Sequence, residues 1–127
     1  MNNWPDDIWA ITVFVDDMEA TKQFYSEVFG VPLVHEDEVS AAFKFPNTVV
    51  NLLQSTEAPG LIGPAVVAPQ EAGSRMQFTI RVGDVDGACA ELARRGVSLL
   101  NGPMDRPWGI RTAAFMDPGG HIWEITS

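Results

Sequence analysis

Apolar residues along the chain follow first a strand-like and then a helix-like spacing. Residues 8–15 are rich in β-branched and aromatic types and predict a strand. Asp17 then predicts a helix N-cap, and Gly30 predicts the left-handed residue that ends this helix. Three short strands are predicted to follow, at about 31–36, 40–45 and 49–54.

The same order of elements returns in the second half of the chain. Residues 76–82 predict a strand, Asp84 predicts the N-cap of a second helix, and Gly96 predicts its end. Residues 55–74 separate the two halves and contain three prolines and three glycines, so we expect a linker there without strand or helix periodicity. Further strands are expected near 97–101, 111–116 and 121–126.

The two halves form an internal repeat. The segment Val15-Asp16-Asp17 matches Val82-Gly83-Asp84 at an offset of 67 residues, and Gly30-Val31 matches Gly96-Val97 at an offset of 66. The repeat predicts two βαβββ modules, at about 8–54 and 76–127. Because one copy of about 50 residues is small for a core of its own, we expect residues 1–127 to form a single α+β domain with a curved mixed sheet around a cleft.

The composition excludes several classes of function. The formal charge is −9, from 8 basic and 17 acidic residues, which disfavours nucleic acids and anionic membrane surfaces as partners. The single cysteine, Cys89, cannot form an intrachain disulfide, and its place on the apolar face of the second helix predicts a buried, inert thiol. The start of the chain lacks the regions of a signal peptide, so we expect a cytoplasmic protein.

Alternation along the strands predicts one apolar and one mixed face. Because alternate residues of a strand share a face, the apolar side is expected to pack on the helices. The other side mixes polar and apolar groups, which suits either a solvated surface or the lining of a ligand cleft. Its members are Ala10, Thr12 and Phe14, then Val49, Asn51 and Leu53, then Gln77, Thr79 and Arg81, and finally Ile122, Glu124 and Thr126.

Two segments carry a resemblance to a known family. Phe24-Tyr25-Ser26-Glu27-Val28-Phe29-Gly30 and the ending Asp117-Pro118-Gly119-Gly120-His121-Ile122-Trp123-Glu124 resemble the glyoxalase / bleomycin-resistance / extradiol-dioxygenase (vicinal oxygen chelate) superfamily. The resemblance implies two βαβββ modules that curl around one cleft, in a homodimer. In the members that use metal, it implies a divalent ion held by side chains from the first, fourth, fifth and eighth strands.

At those four positions this sequence has Ala10, Asn51, Gln77 and Glu124. Alanine offers no ligand, and the two amides offer only neutral oxygens, so Glu124 is the sole anionic group. Divalent ions normally need several carboxylate or imidazole ligands. The sequence therefore predicts no functional metal and no other cofactor. Neither histidine restores the site, since His121 is expected in a turn and His35 at a solvated edge.

The predicted ligand contacts are Phe14, Phe43, Asn51, Gln77, Trp108 and Glu124. Trp108 either stacks on a flat ligand or packs as a loop tryptophan, and the two phenylalanines either line the cleft or belong to the core. Glu124 either binds a ligand or is a structural carboxylate bonded to neighbours such as Gln77. Arg81 and Arg111 suit an anionic ligand, although in so acidic a chain internal carboxylate partners are the alternative.

These candidates leave two kinds of function open. The first is a metal-free protein that binds or sequesters a small, partly aromatic compound, because the ligand set is depleted and aromatic residues are available. The second is a lyase- or isomerase-type enzyme that uses Glu124 as its catalytic group, with or without a weakly held divalent metal. In both cases the partner is a small molecule.

Overall fold

The structure, a computed structural model, describes residues 5–127, and its elements follow the predicted order. The helices are α1 Met18–Phe24, α2 Pro59–Ile62 and α3 Val85–Arg94. The strands are β1 Ala10–Val15, β2 Leu33–Glu36, β3 Ser40–Phe45, β4 Thr48–Gln54, β5 Gln77–Arg81, β6 Leu99–Asp105, β7 Arg111–Met116 and β8 Ile122–Thr126. The prediction of two βαβββ modules is thus confirmed. None of the helices in residues 5–127 is long and apolar enough to cross a membrane.

The strands form two four-stranded mixed sheets. The first sheet has the order β1-β4-β3-β2 and the second has the order β5-β8-β7-β6. In each sheet the first strand of the module pairs in parallel with its last strand, as β1 does with β4 and β5 does with β8. The remaining pairs are antiparallel. The sheets belong to two compact units. The first unit comprises the residues up to Ser26 with Gly30–Val67, and the second comprises Glu27–Phe29 with Ala68–Ser127.

Capping side chains begin both long helices as the sequence predicts. Asp17 Oδ1 accepts the backbone N–H of Ala20 at 3.1 Å, and Asp84 Oδ1 accepts that of Gly87 at 3.0 Å. The first helix continues beyond α1 as one π-helical turn, Tyr25–Phe29, and then ends at Gly30 with a φ of 65°.

The segment that connects β4 to β5 along the chain departs from the prediction. Part of the linker predicted at 55–74 is helical, because α2 lies within it and single 3-10 turns flank it at Ser55–Glu57 and Gln70–Ala72. Pro59 occupies the first position of α2, where a missing N–H costs nothing. The prolines and glycines of this segment therefore belong to short helical turns and not to a segment without regular structure.

Each unit has an aromatic core on the helix-packed face of its sheet. In the first unit the rings of Tyr25 and Phe43 lie with centroids 5.6 Å apart, and both residues are fully buried. In the second unit the Phe29 ring lies 4.4 Å from that of Trp123 and 6.0 Å from that of Phe115. Aromatic pairs at these separations stabilise by about 0.5–1.5 kcal/mol beyond their buried area.

Two irregularities in the pairing of β6 with β7 set which residues of β6 reach each face of the second sheet. Asn101 lies opposite Ala114, whereas Met104 lies opposite Thr112, so three steps along β6 match two along β7. Gly102 occupies the bulge with a φ of 83°, and a Cβ there would lie 2.5 Å from the Thr112 carbonyl oxygen. Glycine is required at this point. A second irregularity lies between Leu99 and Asn101, where two steps along β6 match one along β7, so the two extra residues together restore the alternation that begins at Leu99.

Candidate functional site

The mixed face of the first sheet carries polar groups that bond to one another. Thr12 and Asn51 lie side by side in the parallel pairing of β1 and β4. Asn51 Nδ2 donates to Thr12 Oγ1 at 3.4 Å, which is a long and therefore weak bond. Phe14 is half-buried on the same face, where its register partner is Leu53. The predicted contacts Phe14 and Asn51 thus share one face.

The mixed face of the second sheet carries a polar ladder, formed by Gln77, Thr79 and Glu124. Thr79 and Glu124 are register partners, and Thr79 Oγ1 donates to Glu124 Oε1 at 3.2 Å. Gln77 Nε2 in turn donates to Thr79 Oγ1 at 3.5 Å. Gln77 thus bonds to the Thr79 hydroxyl. The direct bond between Gln77 and the Glu124 carboxylate, which one of the two sequence interpretations expected, is not the bond that Gln77 forms. The structure brings the predicted contacts Gln77 and Glu124 onto one face.

Glu124 has capacity left for a ligand. Its side chain is half-buried, and among residues 5–127 it forms no ion pair and accepts only from the Thr79 hydroxyl. An ionised carboxylate has about four acceptor positions on its two oxygens. A ligand hydroxyl or amine is therefore a chemically suitable partner for it.

Arg106 lies on the same face, and the sequence interpretation missed it. Its Nε donates to Thr112 Oγ1 at 2.8 Å, and Thr112 shares the mixed face with Ala114, the register partner of Glu124. Its guanidinium carbon lies 5.9 Å from the centroid of the Trp108 ring, a cation–π distance. Gly102-Pro103 was the available signal, because this pair inside a strand indicates a bulge.

Trp108 lies in the tight turn between β6 and β7, as predicted. Arg106 N–H donates to the Ile110 carbonyl at 2.7 Å, and Gly109 N–H donates to the Arg106 carbonyl at 3.0 Å, which fixes this turn. The Trp108 residue is 68% exposed. The alternative interpretation, a loop tryptophan packed on the domain, does not account for this large exposed surface.

The prediction of Phe43 as a ligand contact is wrong. Phe43 is the register partner of Val50 and therefore alternates onto the face opposite to Asn51. It is fully buried against Tyr25, so it is a core residue without a surface to offer.

Other polar candidates have partners of their own. Arg111 forms ion pairs with Asp86 at 2.9 Å and Asp105 at 3.1 Å, so the internal-partner interpretation is confirmed. The hydrogen bond from Arg111 lowers the pKa of the Asp86 carboxyl. Cys89 is buried, and desolvation together with the Asp86 charge raises the pKa of its thiol.

The two histidines lie beside acidic neighbours. His35 Nε2 is 3.6 Å from Asp37 Oδ2 at an exposed position. His121 Nδ1 is 2.9 Å from Oδ1 of the buried Asp117, whose carboxylate also accepts the backbone N–H groups of Gly119 and His121. Each histidine thus contacts a carboxylate two or four residues away in the sequence. His121 stabilises the turn in which it was predicted.

A pocket of about 220 Å³ lies on the helix-packed side of the second sheet, away from these residues. Its lining is mostly apolar, and Glu91 and Arg95 at its rim pair with each other at 2.9 Å. None of the residues predicted as ligand contacts lines it.

The comparisons with known proteins agree with the paired modules. The sequence model of the Glyoxalase/Bleomycin resistance protein/Dioxygenase superfamily matches residues 8–125. The chain belongs to this superfamily. An uncharacterized protein of Bacillus subtilis, YraH, is 31% identical over 119 residues, which cover 91% of this chain and 93% of YraH.

Solved structures of the superfamily show the same fold. A glyoxalase/bleomycin resistance protein/dioxygenase from Nocardioides has a TM-score of 0.87 at 23% identity, over 98% of this chain and 85% of that chain. A glyoxalase-related enzyme from Fulvimarina pelagi has a TM-score of 0.81 at 25% identity, over 96% of this chain and 88% of that chain.

The divalent ion that this superfamily suggests does not fit the residues at the four corresponding positions. The first sheet supplies the methyl group of Ala10 and the Asn51 amide, which is bonded to Thr12. The second sheet supplies the Gln77 amide and the Glu124 carboxylate. Within the described part of the chain, no three His, Cys, Asp or Glu side chains are grouped in a way that suits a metal ion. One anion and neutral amides do not offset the dehydration of such an ion.

Proposed function

We propose that this superfamily member is a metal-free small-molecule-binding protein that holds or sequesters a small, partly aromatic compound against the mixed face of its second sheet. The observation that carries the proposal is the half-buried carboxylate of Glu124, which has only the neutral Thr79 hydroxyl as partner among residues 5–127. Such a group gains a strong hydrogen bond when a ligand donates to it.

Aromatic surface beside the polar ladder supports a flat ligand. Trp108 is largely exposed in a turn held by backbone hydrogen bonds, so its ring stacks on a ligand with little loss of conformational entropy. The mixed face of the first sheet carries Phe14 and Asn51, which stay predicted ligand contacts in their own unit.

The second candidate is an enzyme of the lyase or isomerase type. The same free capacity of Glu124 that suits binding also suits proton abstraction from a bound substrate. In that case Glu124 takes a proton from a carbon or oxygen acid, and no step passes through a metal.

The substitution Glu124→Gln separates the two functions. A thermal-shift screen of small aromatic compounds first identifies ligands, and calorimetric titration then compares the wild type, Glu124→Gln and the control Glu38→Gln. Glu38 is exposed in the turn between β2 and β3, so its substitution is expected to be silent. A hydrogen bond to a charged group contributes about 1.5–3 kcal/mol, so Glu124→Gln should weaken binding about tenfold or more.

An enzyme would behave differently in the same experiment. Glu124→Gln would abolish turnover of the compound and leave its affinity largely intact. If the substitution changed neither affinity nor turnover, the assignment of the site to this face would be wrong.

We further propose that the protein forms a homodimer, as the family resemblance suggests, and that it is cytoplasmic. The strand β2 offers a suitable surface, since it is an edge strand and its Leu33 and Val34 are 41% and 55% exposed. Analytical ultracentrifugation of the wild type and of Val34→Lys tests this proposal. A wild-type sedimentation coefficient of a monomer would refute it.

A further inference from the structure

We propose that the ligand carries an anionic group, a carboxylate or a similar oxyanion, which Arg106 binds with help from Arg81 at one end of the mixed face of the second sheet. This inference rests on the proposed function and specifies the class of compound. It begins from one row of side chains across the sheet. Thr126 is the register partner of Arg81 on one side and of Thr112 on the other, and Arg106 bonds to Thr112.

The row places two cations within reach of one small molecule. Neighbouring strands lie about 4.8 Å apart, so the Cα atoms of Arg81 and Thr112 are separated by about 10 Å. Arginine side chains are long enough to span this distance, and Thr126 occupies the position between Arg81 and Thr112 in the row. The end of the face nearest to Arg106 is therefore positively charged in an otherwise acidic chain.

Arg106 and Arg81 have no carboxylate partner among the described residues. Lys22, Arg94, Arg95 and Arg111 each form ion pairs with Asp or Glu. Within the part of the chain that the structure describes, Arg106 and Arg81 form none. Lys44 and Arg75 form none either, but Lys44 lies on the first sheet and Arg75 lies before β5, so neither is part of this row. With 17 acidic residues against 8 basic ones, this lack of a partner does not follow from a shortage of carboxylates.

The guanidinium of Arg106 is also held in position before any ligand arrives. It is half-buried, its Nε is bonded to the Thr112 hydroxyl, and its carbon lies near the Trp108 ring. Guanidinium has five N–H donors, and among residues 5–127 only the Nε donor has a side-chain acceptor. An oxyanion satisfies the remaining donors in a forked arrangement, which is how arginine binds carboxylates.

The spacing of the charged groups specifies the ligand further. Glu124 lies two residues before Thr126 on β8, which separates the two rows by about 6.6 Å along the strand. A compound that satisfies both ends therefore carries its anion and its hydrogen-bond donor about 6–7 Å apart, on a flat body that stacks on Trp108. Aromatic carboxylates with a hydroxyl or amino group on the ring have this geometry.

Titration with matched compounds tests the inference. The probes are 4-hydroxybenzoate and its uncharged analogue 4-hydroxybenzamide. Binding is monitored by the change in tryptophan fluorescence and by the NMR signal of Arg106 Nε–H. The wild type should bind the carboxylate about tenfold or more tightly than the amide, and added salt should reduce the difference. Arg106→Leu should remove this preference, and Arg81→Leu should reduce it by a smaller factor because Arg81 is exposed.

Arg75→Leu is the matched control, because Arg75 is exposed in the segment before β5 and is not part of the row. This variant should retain the full preference for the carboxylate. If the wild type bound both probes equally, or if Arg106→Leu retained the preference, the anion inference would fail while the proposed binding function stood. If neither probe changed the tryptophan fluorescence or the Arg106 NMR signal at millimolar concentration, the inferred ligand class would be wrong, and the thermal-shift screen would decide separately whether the proposed binding function fails.

Discussion

Thr79 donates its hydroxyl hydrogen to Oε1 of Glu124 at 3.2 Å across the parallel pairing of β5 and β8. The first sheet has an equivalent pair, in which Asn51 donates to Thr12, and Thr12 precedes Thr79 by the repeat offset of 67 residues. The two modules thus retain the threonine and differ in its partner. Only the second module places a carboxylate at this position, so the side-chain chemistry of the two mixed faces differs although the framework is duplicated.

The donor set predicts the metal content of the purified protein. A sample prepared without chelator should contain far less than one transition-metal ion per chain, because the four superfamily positions provide one carboxylate, two amides and one methyl group. Mass spectrometry of the metals measures this, and a sample incubated with zinc and then desalted provides the control. Stoichiometric zinc, nickel, manganese or iron, removed by chelator with loss of an activity, would contradict the prediction.

Substitution of the exposed tryptophan tests stacking. Trp108→Ala should weaken the binding of a flat ligand by about tenfold, since aromatic contacts contribute about 0.5–1.5 kcal/mol beyond the area they bury. The free energy of unfolding should change little, because the residue is 68% exposed.

The control for this substitution is Trp9→Ala, which removes a tryptophan that is 89% exposed in the other unit. Isothermal titration should give an unchanged affinity for this variant. Equal losses in both variants would mean that the effect does not arise from stacking at Trp108.

The glycine of the β6 bulge should be sensitive to the smallest substitution. Gly102→Ala forces an L side chain into a φ of 83° and brings its Cβ to 2.5 Å from a backbone oxygen, so we expect a loss of about 2–5 kcal/mol in the free energy of unfolding. Gly96→Ala is the matched control, since Gly96 has a φ of 82° with nothing within 4 Å of the added Cβ.

The control should cost only about 1–2 kcal/mol, which is the strain of the left-handed conformation. Urea unfolding at neutral pH measures both values. If the two substitutions lowered the free energy of unfolding equally, the close approach at Gly102 would contribute nothing to the loss.

The pair of Arg111 and Asp86 predicts a pH-dependent contribution to stability. Because Arg111 lowers the pKa of the Asp86 carboxyl, this contribution is present above the ordinary carboxyl pKa of about 3.9 and is lost as the pH falls through the lowered value in the folded state. Arg111→Met should therefore destabilise the protein at pH 7 and have a progressively smaller effect below about pH 4.

The measurement is urea unfolding of the wild type and the variant at several pH values. Arg75→Met is the control, since Arg75 forms no ion pair among residues 5–127. A constant difference between the wild type and Arg111→Met from pH 7 to pH 3 would rule out the Asp86 pair as its cause.

Local signals were sufficient for the elements of the fold. The caps Asp17 and Asp84 and the stop at Gly30 depend on the chemistry of single residues, and the structure confirms all three. The repeat then gave the order of the elements and the equivalence of Thr12 and Thr79, because duplication preserves register.

The faces of individual residues were harder to predict from local sequence. Phe43 was placed on the ligand side, although its orientation is set by pairing with Val50 on another strand. The predicted strand near 97–101 continues in fact to Asp105, because a bulge and not a turn accommodates Gly102-Pro103. Arg106 was missed because the predicted strand ended near residue 101, five residues before it.

The bulge also makes the charge of the site depend on strand length. Asp105 lies opposite Arg111, on the helix-packed side, while Arg106 bonds to Thr112 on the mixed face. Loss of a single codon at 102–103 would shift the register of β6 by one and exchange these two sides. The face would then present an aspartate in place of an arginine, so within this fold an in-frame deletion can reverse the charge at this end of the face without any substitution.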